Sequence, residues 1–537
     1  MRCTPLLLLA AVTAAISSVS ALAAPGPCTV EGIKKIAPAD AIIDTVRHVT
    51  APVAHCEVIG HSITTDPGPN QVNWSLMLPD ERFGGRFYFV GQGGGAGLTV
   101  TAFSDNNGQG NPVLKQLRDG FAVSSSDTGH SGFLWDWGAN DPVRRLDYGH
   151  RGAHVSTVAT QAITRAYYGM TAANRLYRYH LGCSGGGRMG MMAALHHPED
   201  YDGIVASTVA KGGGSHYFGL ILQHLVQNPD GWLSPEKLAF LERKVDEKCA
   251  SPDGLVRNPD SCHFDVTALQ CKGSDRAQCL TAPEIATVKV VTGRFRLGSE
   301  SDADSGDIPG FSIANPTSWT ATLMGPTRPT NKGRENPWAP APVPAGYFII
   351  QSLARGMYFD NPKFDVINDL NYKDEKTLAL LSERHKVWGV TTPDISAYKA
   401  AGGKLIMWAG ESENAVPPGT EREYLSEVKK AVPGSDDFVE LYMVPGVNHC
   451  YGGPGPQDAP ERLLDAMIGW VEEGRKPGPL VLNGGVGSGP IMTPEAAAKA
   501  VEPPISRTTL ICPYPQKAVF AGRPGGYPYD ASTWTCK

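Results

Sequence analysis

The chain has 537 residues, with 48 Lys and Arg against 54 Asp and Glu and a net charge of −6. The basic residues are scattered, which excludes the electrostatic footprint of a nucleic-acid or anionic-membrane binder and leaves a small uncharged or anionic partner. The length exceeds what one hydrophobic core usually serves, so two domains, or one domain with a large insertion, are expected.

The N-terminus carries Met1-Arg2, an apolar run from Leu6 to Ala15, and Ala21-Leu22-Ala23. These are the charged, apolar and small-residue parts of a signal peptide, assigned to residues 1–23, and they imply a secreted or periplasmic protein. No later segment reaches the roughly 20 apolar residues of a membrane span. Of the 11 cysteines, Cys3 lies in the signal; the other ten form an even set in an oxidising compartment where disulfides persist.

Along the mature chain, Arg86 to Val90 reads as a short apolar strand running into Gly93-Gly94-Gly95. Gly120 to His130 repeats the strand-then-loop arrangement, Ala153 to Tyr168 has a helical pattern, and Tyr177 to Leu181 supplies a third strand. Strands alternating with helices predict an α/β fold with a mostly parallel sheet covered on both faces. From about Lys211 to Thr391 the rhythm gives way to Pro-rich, Gly-rich and Cys-bearing segments, read as an inserted lid. The alternation resumes at Gly402 to Gly410 and Phe438 to Gly446, and no internal repeat is found.

The third strand ends in Gly182-Cys183-Ser184-Gly185-Gly186, which fits G-x-S-x-G, a strand-to-helix corner that exposes a serine hydroxyl. With 61 glycines in the chain the match is weak alone, so its partners decide. A serine nucleophile needs a histidine to take its proton and a carboxylate to orient that histidine, in the chain order serine, acid, histidine. That order excludes Asp127 and His130, which read as a polar loop beneath the site. His449, after an apolar strand, is the candidate base. Glu411 and Glu413 both follow the strand at Gly402 to Gly410; the residues leave both open, with Glu413 preferred.

Cys183 immediately precedes the candidate nucleophile and Cys450 immediately follows the candidate base. A bridge between them would clamp serine and histidine together. Closing so long a loop contributes about 5–6 kcal/mol in the chain-entropy model, but the registry it imposes matters more.

These paired motifs resemble the tannase and feruloyl esterase family, whose pattern is Cys-Ser, an acid, then His-Cys with the cysteines bridged. The likeness extends through GCSGGGRMGMMAALHHPEDYDGIVA, PDISAYKAAGGKLIMWAG, MVPGVNHCYGGPGP and the terminal LICPYPQKAVFAG and DASTWTC segments, in family order. It implies an α/β-hydrolase core (24–211 and 391–537) with a lid inserted at 212–390, and a small-molecule ester of an aromatic acid as substrate. It also implies Ser184 as nucleophile, Glu413 as acid and His449 as base, although Ala409-Gly410-Glu411-Ser412-Glu413 stands where the family usually has His-Gly-x-x-Asp. The oxyanion hole is expected from the N–H groups of Gly185 and Gly94. The remaining cysteines are expected to pair as Cys28–Cys56, Cys249–Cys262, Cys271–Cys279 and Cys512–Cys536.

Family lids often bind calcium through an Asp-rich loop. Here the Cys249–Cys262 segment keeps only Asp253 and Asp260, poor in ligands for an ion that takes 6–8 oxygens, so no cofactor is expected to be required. Trp319, Trp338, Tyr347, Phe348 and Tyr358 are candidate pocket walls, although each reads more readily as lid core. Two other readings are a terephthalate or phthalate monoester hydrolase, using Arg334 or Arg355 for the free carboxylate, and a non-catalytic binding protein on a hydrolase fold. The sequence assigns no oligomeric state.

Overall fold

The computed structural model describes residues 26–100, 113–208, 215–273, 276–297, 308–330, 336–484, 507–522 and 527–537. The signal segment, the first boundary of the lid and Arg334 lie outside them. Nine strands form one sheet: β1 (Ala41–Val49), β2 (His55–Thr64), β3 (Asn70–Pro79), β4 (Arg86–Gly91), β5 (Phe121–Ser126), β6 (Tyr177–Cys183), β7 (Gly203–Ser207), β8 (Lys404–Gly410) and β9 (Val439–Val444). Their order is β1-β2-β3-β5-β4-β6-β7-β8-β9. The pairs from β1 to β3 and β3 with β5 are antiparallel, and every pair from β5 to β9 is parallel.

The parallel strands are nearly continuous buried runs, because helices cover both faces and leave no side for solvent. One face packs Phe87, Phe89, Ile204 and Leu405 under the helices Gly152–Tyr167 and Gly185–His196. The other packs Tyr88, Val205, Trp408 and Val444 under Ala459–Glu473. With this sheet and the strand-turn-helix corner after β6, the architecture is that of an α/β-hydrolase.

In the chain between β7 and β8, the last residues, Val390, Ile395 and Tyr398, join the core under the sheet, while the described residues up to Trp388 build a hydrophobic cluster of their own. It gathers the helices His216–Gln227, Pro235–Cys249, Ala282–Thr292, Ala345–Leu353 and Glu375–Trp388 around the fully buried Trp319, Trp338 and Tyr358. It also docks on Trp135, Tyr148 and Ala415 from the sheet's loops. No helix among the described residues is long and apolar enough to cross a membrane.

Candidate active site

β6 turns into the Gly185–His196 helix at Ser184, whose φ of 58° and ψ of −122° lie where L-residues rarely sit. Such strain costs on the order of 1–3 kcal/mol and persists only when the surroundings enforce it. Here the neighbouring glycines do so. A Cβ on Gly186 would fall 2.2 Å from the Gly91 carbonyl oxygen, and one on Gly187 would fall 2.1 Å from that of Ser207. The Ser184 N–H is held by the Ser207 carbonyl and the Thr208 hydroxyl, each at 2.9 Å. Among the described residues the Ser184 hydroxyl itself has no hydrogen-bond partner, so it stands free at the corner.

A disulfide joins Cys183 to Cys450, with Cα atoms 5.8 Å apart, and so sets His449 beside Ser184. His449 Nδ1 lies 2.8 Å from Glu413 Oε1. The carboxylate is fully buried, and the same oxygen accepts the Ala415 and Val416 N–H groups at 2.8 and 3.1 Å. An oxygen pinned by two backbone donors accepts from the imidazole, so Nδ1 is the donor, and in the neutral ring that leaves a lone pair on Nε2. Glu411 takes no part in this arrangement. Its side chain pairs with Arg422 at 3.1 Å, and burial raises its carboxyl above the usual range.

The glycine loop after β4 packs directly against the corner. A Cβ on Gly185 would lie 2.4 Å from the Gly94 carbonyl oxygen, and Gly94 has a φ of 59°. The Gly95 N–H is spent on the Phe133 carbonyl at 2.7 Å, whereas the N–H groups of Gly94 and Gly185 donate to no described residue. Two side chains support this loop: His130, read from the sequence as part of a polar loop beneath the site, and Phe133, which the sequence did not mark. His130 Nε2–H donates to the Gly95 carbonyl, and its ring stacks on Trp137 at 3.7 Å. Burial pushes His130 down to about 4, so it acts as a neutral donor. Phe133, half exposed, lies over Gly94 and forms an apolar wall. Asp127 caps the adjoining turn, accepting from the N–H groups of Asn73 and Gly129.

The candidate lid residues divide. Trp319, Trp338 and Tyr358 are sealed inside the insertion's core, the reading the sequence favours for them, and form no wall of an open site. Phe348 is half exposed, and Tyr347 packs between it and Trp338. Arg355 donates its Nε–H to the Phe364 carbonyl at 3.1 Å. The other disulfides join Cys28 to Cys56, Cys249 to Cys262, Cys271 to Cys279 and Cys512 to Cys536.

The two lid carboxylates do not suit calcium. Asp253 is buried against the Arg257 guanidinium at 2.6 Å with Arg507 at 3.5 Å, and Asp260 pairs with Arg422 at 2.8 Å. Arginines stand where a calcium cage would need oxygens.

Behind the site, Glu421 is buried and takes a hydrogen bond from Thr420 Oγ1 at 2.9 Å. Burial, reinforced by the charge of Glu413, pushes its carboxyl up to about 8. A carboxyl raised in the folded state gives stability that is complete below its unfolded value, about 4.3. That stability is lost as pH rises through about 8. Glu421→Gln, which keeps the neutral shape, should therefore flatten the fall in melting temperature between about pH 5 and 9. Parallel wild-type and variant melting curves over that range would refute the raised carboxyl.

A sequence model of tannase and feruloyl esterase matches residues 56–537. The chain belongs to that family. As a member, the protein is a carboxylic ester hydrolase. An uncharacterized esterase of Xanthomonas campestris is 26% identical, over 90% of this chain and 84% of its own. The mono(2-hydroxyethyl) terephthalate hydrolase of Piscinibacter sakaiensis is 29% identical, over 87% of this esterase and 82% of its own length. The crystal structure of feruloyl esterase B from Aspergillus oryzae superposes with a TM-score of 0.76 at 20% identity, covering 94% of this chain and 98% of that one, which shows a common fold.

Proposed function

We propose that this esterase hydrolyses esters of aromatic, phenolic carboxylic acids through an acyl-enzyme. The observation that carries the mechanism is the 2.8 Å contact of His449 with buried Glu413, on a histidine bridged through Cys450 to the residue before Ser184. His449 Nε2 takes the Ser184 proton as Oγ attacks the ester carbonyl carbon. The oxyanion so formed sits between the Gly94 and Gly185 N–H groups, each such donor being worth roughly 3–4 kcal/mol in related chemistry. His449 returns the proton to the leaving alkoxide as the C–O bond breaks, then activates water for the reverse sequence, and the acid is released.

Phe133 beside Gly94 offers a planar apolar surface to an aryl acyl group. Relatives named feruloyl esterase B in Aspergillus niger point the same way. The Piscinibacter relative makes mono(2-hydroxyethyl) terephthalate the second substrate to weigh. A kcat/KM panel of methyl ferulate, methyl gallate, mono(2-hydroxyethyl) terephthalate and a short aliphatic ester decides between them. The phenolic esters should lead. A lead for the terephthalate monoester would transfer the assignment to that substrate, and a lead for the aliphatic ester would remove the aromatic reading.

The bridge has a kinetic signature of its own. Cys183→Ala with Cys450→Ala should lower kcat about 100-fold when assayed well below the variant's melting temperature, since misplacement by about 1 Å costs that much. Wild-type turnover in the double variant would show that the bridge serves stability alone.

We also propose that the Arg257 and Arg507 contacts to Asp253 replace a lid metal. Calcium added to chelator-treated protein should then move the melting temperature by no more than about 2 °C, as for an ion with no differential affinity for the folded state. A rise of about 10 °C would overturn this. The five disulfides and the composition of residues 1–23 support export to a secreted or periplasmic location.

A further inference from the structure

At the far end of the helix that begins after Ser184, four histidines and an aspartate converge. His150 lies in the turn Asp147–Arg151, and His154 follows one helical turn later on Gly152–Tyr167, so the two share a face. His196 ends the Gly185–His196 helix, His197 caps it, and the next turn brings in Asp200, whose N–H donates to the His197 carbonyl at 3.0 Å. His154 Nδ1 is 3.0 Å from both Asp200 oxygens, and His150 Nδ1 is 2.9 Å from His197 Nε2. The rings of His154 and His197 lie face to face at 3.7 Å and 8°, and those of His150 and His196 at 4.3 Å and 10°.

We propose that His154, His197 and Asp200 bind a divalent transition-metal ion, with His150 beside them as a fourth donor. Ligand atoms of the first three already lie within 4.8 Å of one another. Two ligands about 2.05 Å from a tetrahedral ion stand roughly 3.3 Å apart; the His154–Asp200 and His150–His197 contacts, at 3.0 and 2.9 Å, are a few tenths of an ångström closer than that, and side-chain rotation within the 4.8 Å cluster brings the set onto one ion.

Three further features favour a cation here. Two nitrogens 2.9 Å apart share a single proton at most, and a metal can take its place. Asp200 is buried, and His154 is the one side chain among the described residues that meets its carboxylate. The carbonyl end of a 12-residue helix points at the cluster, and its dipole favours positive charge. The neighbouring Arg151 is already neutralised by Asp147 at 2.5 Å.

An imidazole-rich donor set selects zinc, copper, nickel or cobalt over calcium and magnesium. The site lies about 18 Å along the helix from Ser184, which makes it a clamp on the fold rather than part of the ester chemistry.

The test uses the full mature chain without a histidine tag, stripped by chelator. Titration with Zn2+ should show one ion per chain with a Kd of about 10 μM or tighter, and Co2+ should give the visible absorption of an imidazole-bound ion. His154→Gln with His197→Gln should weaken zinc binding at least about tenfold while esterase activity in the absence of metal stays the same. Because that variant can misfold, a second readout uses the wild type alone: Zn2+ should protect His154 and His197, but not the half-exposed His48, from acylation by diethyl pyrocarbonate. No zinc bound at about 100 μM, zinc bound equally by the variant, or binding without protection of those two histidines would each overturn the proposal.

Discussion

Ser184→Ala should fold like the wild type and lose about 10^4 to 10^6 in kcat/KM, because nucleophile and base act as a unit and removal of either abolishes the covalent route. The fold survives because the hydroxyl has no partner among the described residues, and because Ser184 is held through its N–H by Ser207 and Thr208, contacts that alanine keeps. Alanine inherits the same positive φ, so it relieves no strain. Ser184→Gly should do so, raising stability by up to about 1 kcal/mol while being equally inactive. Opposite movements of stability and turnover in the glycine variant would show that the corner is strained for the sake of the hydroxyl. Melting curves and steady-state kinetics on an aryl ester measure both, and more than about 1% residual turnover in Ser184→Ala would remove it as the nucleophile.

Most of the parallel half of the sheet was legible from short strand-like segments running into loops: Arg86 to Val90 and Tyr177 to Leu181 lie within observed strands, and Gly402 to Gly410 contains the strand Lys404–Gly410. β1, β2, β3 and the short parallel strand β7 were missed. β1 alternates buried and exposed residues and has a register shift between Ile43 and Thr45, while β2 buries His55 and Glu57, so neither presents an apolar run. The insertion's helices were also missed, although two carried readable starts. Thr281 caps Ala282–Thr292 in a box with Glu284, and Ser234 caps Pro235–Cys249, both ahead of a proline.

At the site, Ser184 and His449 were marked by cysteines beside them in the chain. His130 and Phe133 could not be, since each acts on the glycine loop 35 or more residues earlier, through a backbone carbonyl or a ring face. The choice between Glu411 and Glu413 turned on Arg422, which draws Glu411 away and belongs to a helix that neither glutamate's local sequence announces.

That choice has a measurable consequence that separates turnover from stability. Glu413→Gln should lower kcat by about 10^2 to 10^3, less than the roughly 10^4 seen where an amide turns its NH2 toward the histidine and reverses the tautomer. The difference follows from the backbone. Ala415 and Val416 donate to the same oxygen that meets His449, so the glutamine oxygen must occupy that position and the proton stays on Nδ1. What is lost is the negative charge facing the imidazolium in the transition state. Glu413→Ala removes the pinned acceptor as well and should fall further, toward about 10^4. Glu411→Gln breaks a buried pair with Arg422, which also serves Asp260, so its cost should appear in the melting temperature, with kcat within about tenfold of wild type. Measured side by side below all four melting temperatures, the order should be wild type, Glu411→Gln, Glu413→Gln, Glu413→Ala. A larger kinetic loss at residue 411 than at residue 413 would move the acid to Glu411, and a glutamine variant as inactive as the alanine one would show that the two N–H donors fail to hold the tautomer.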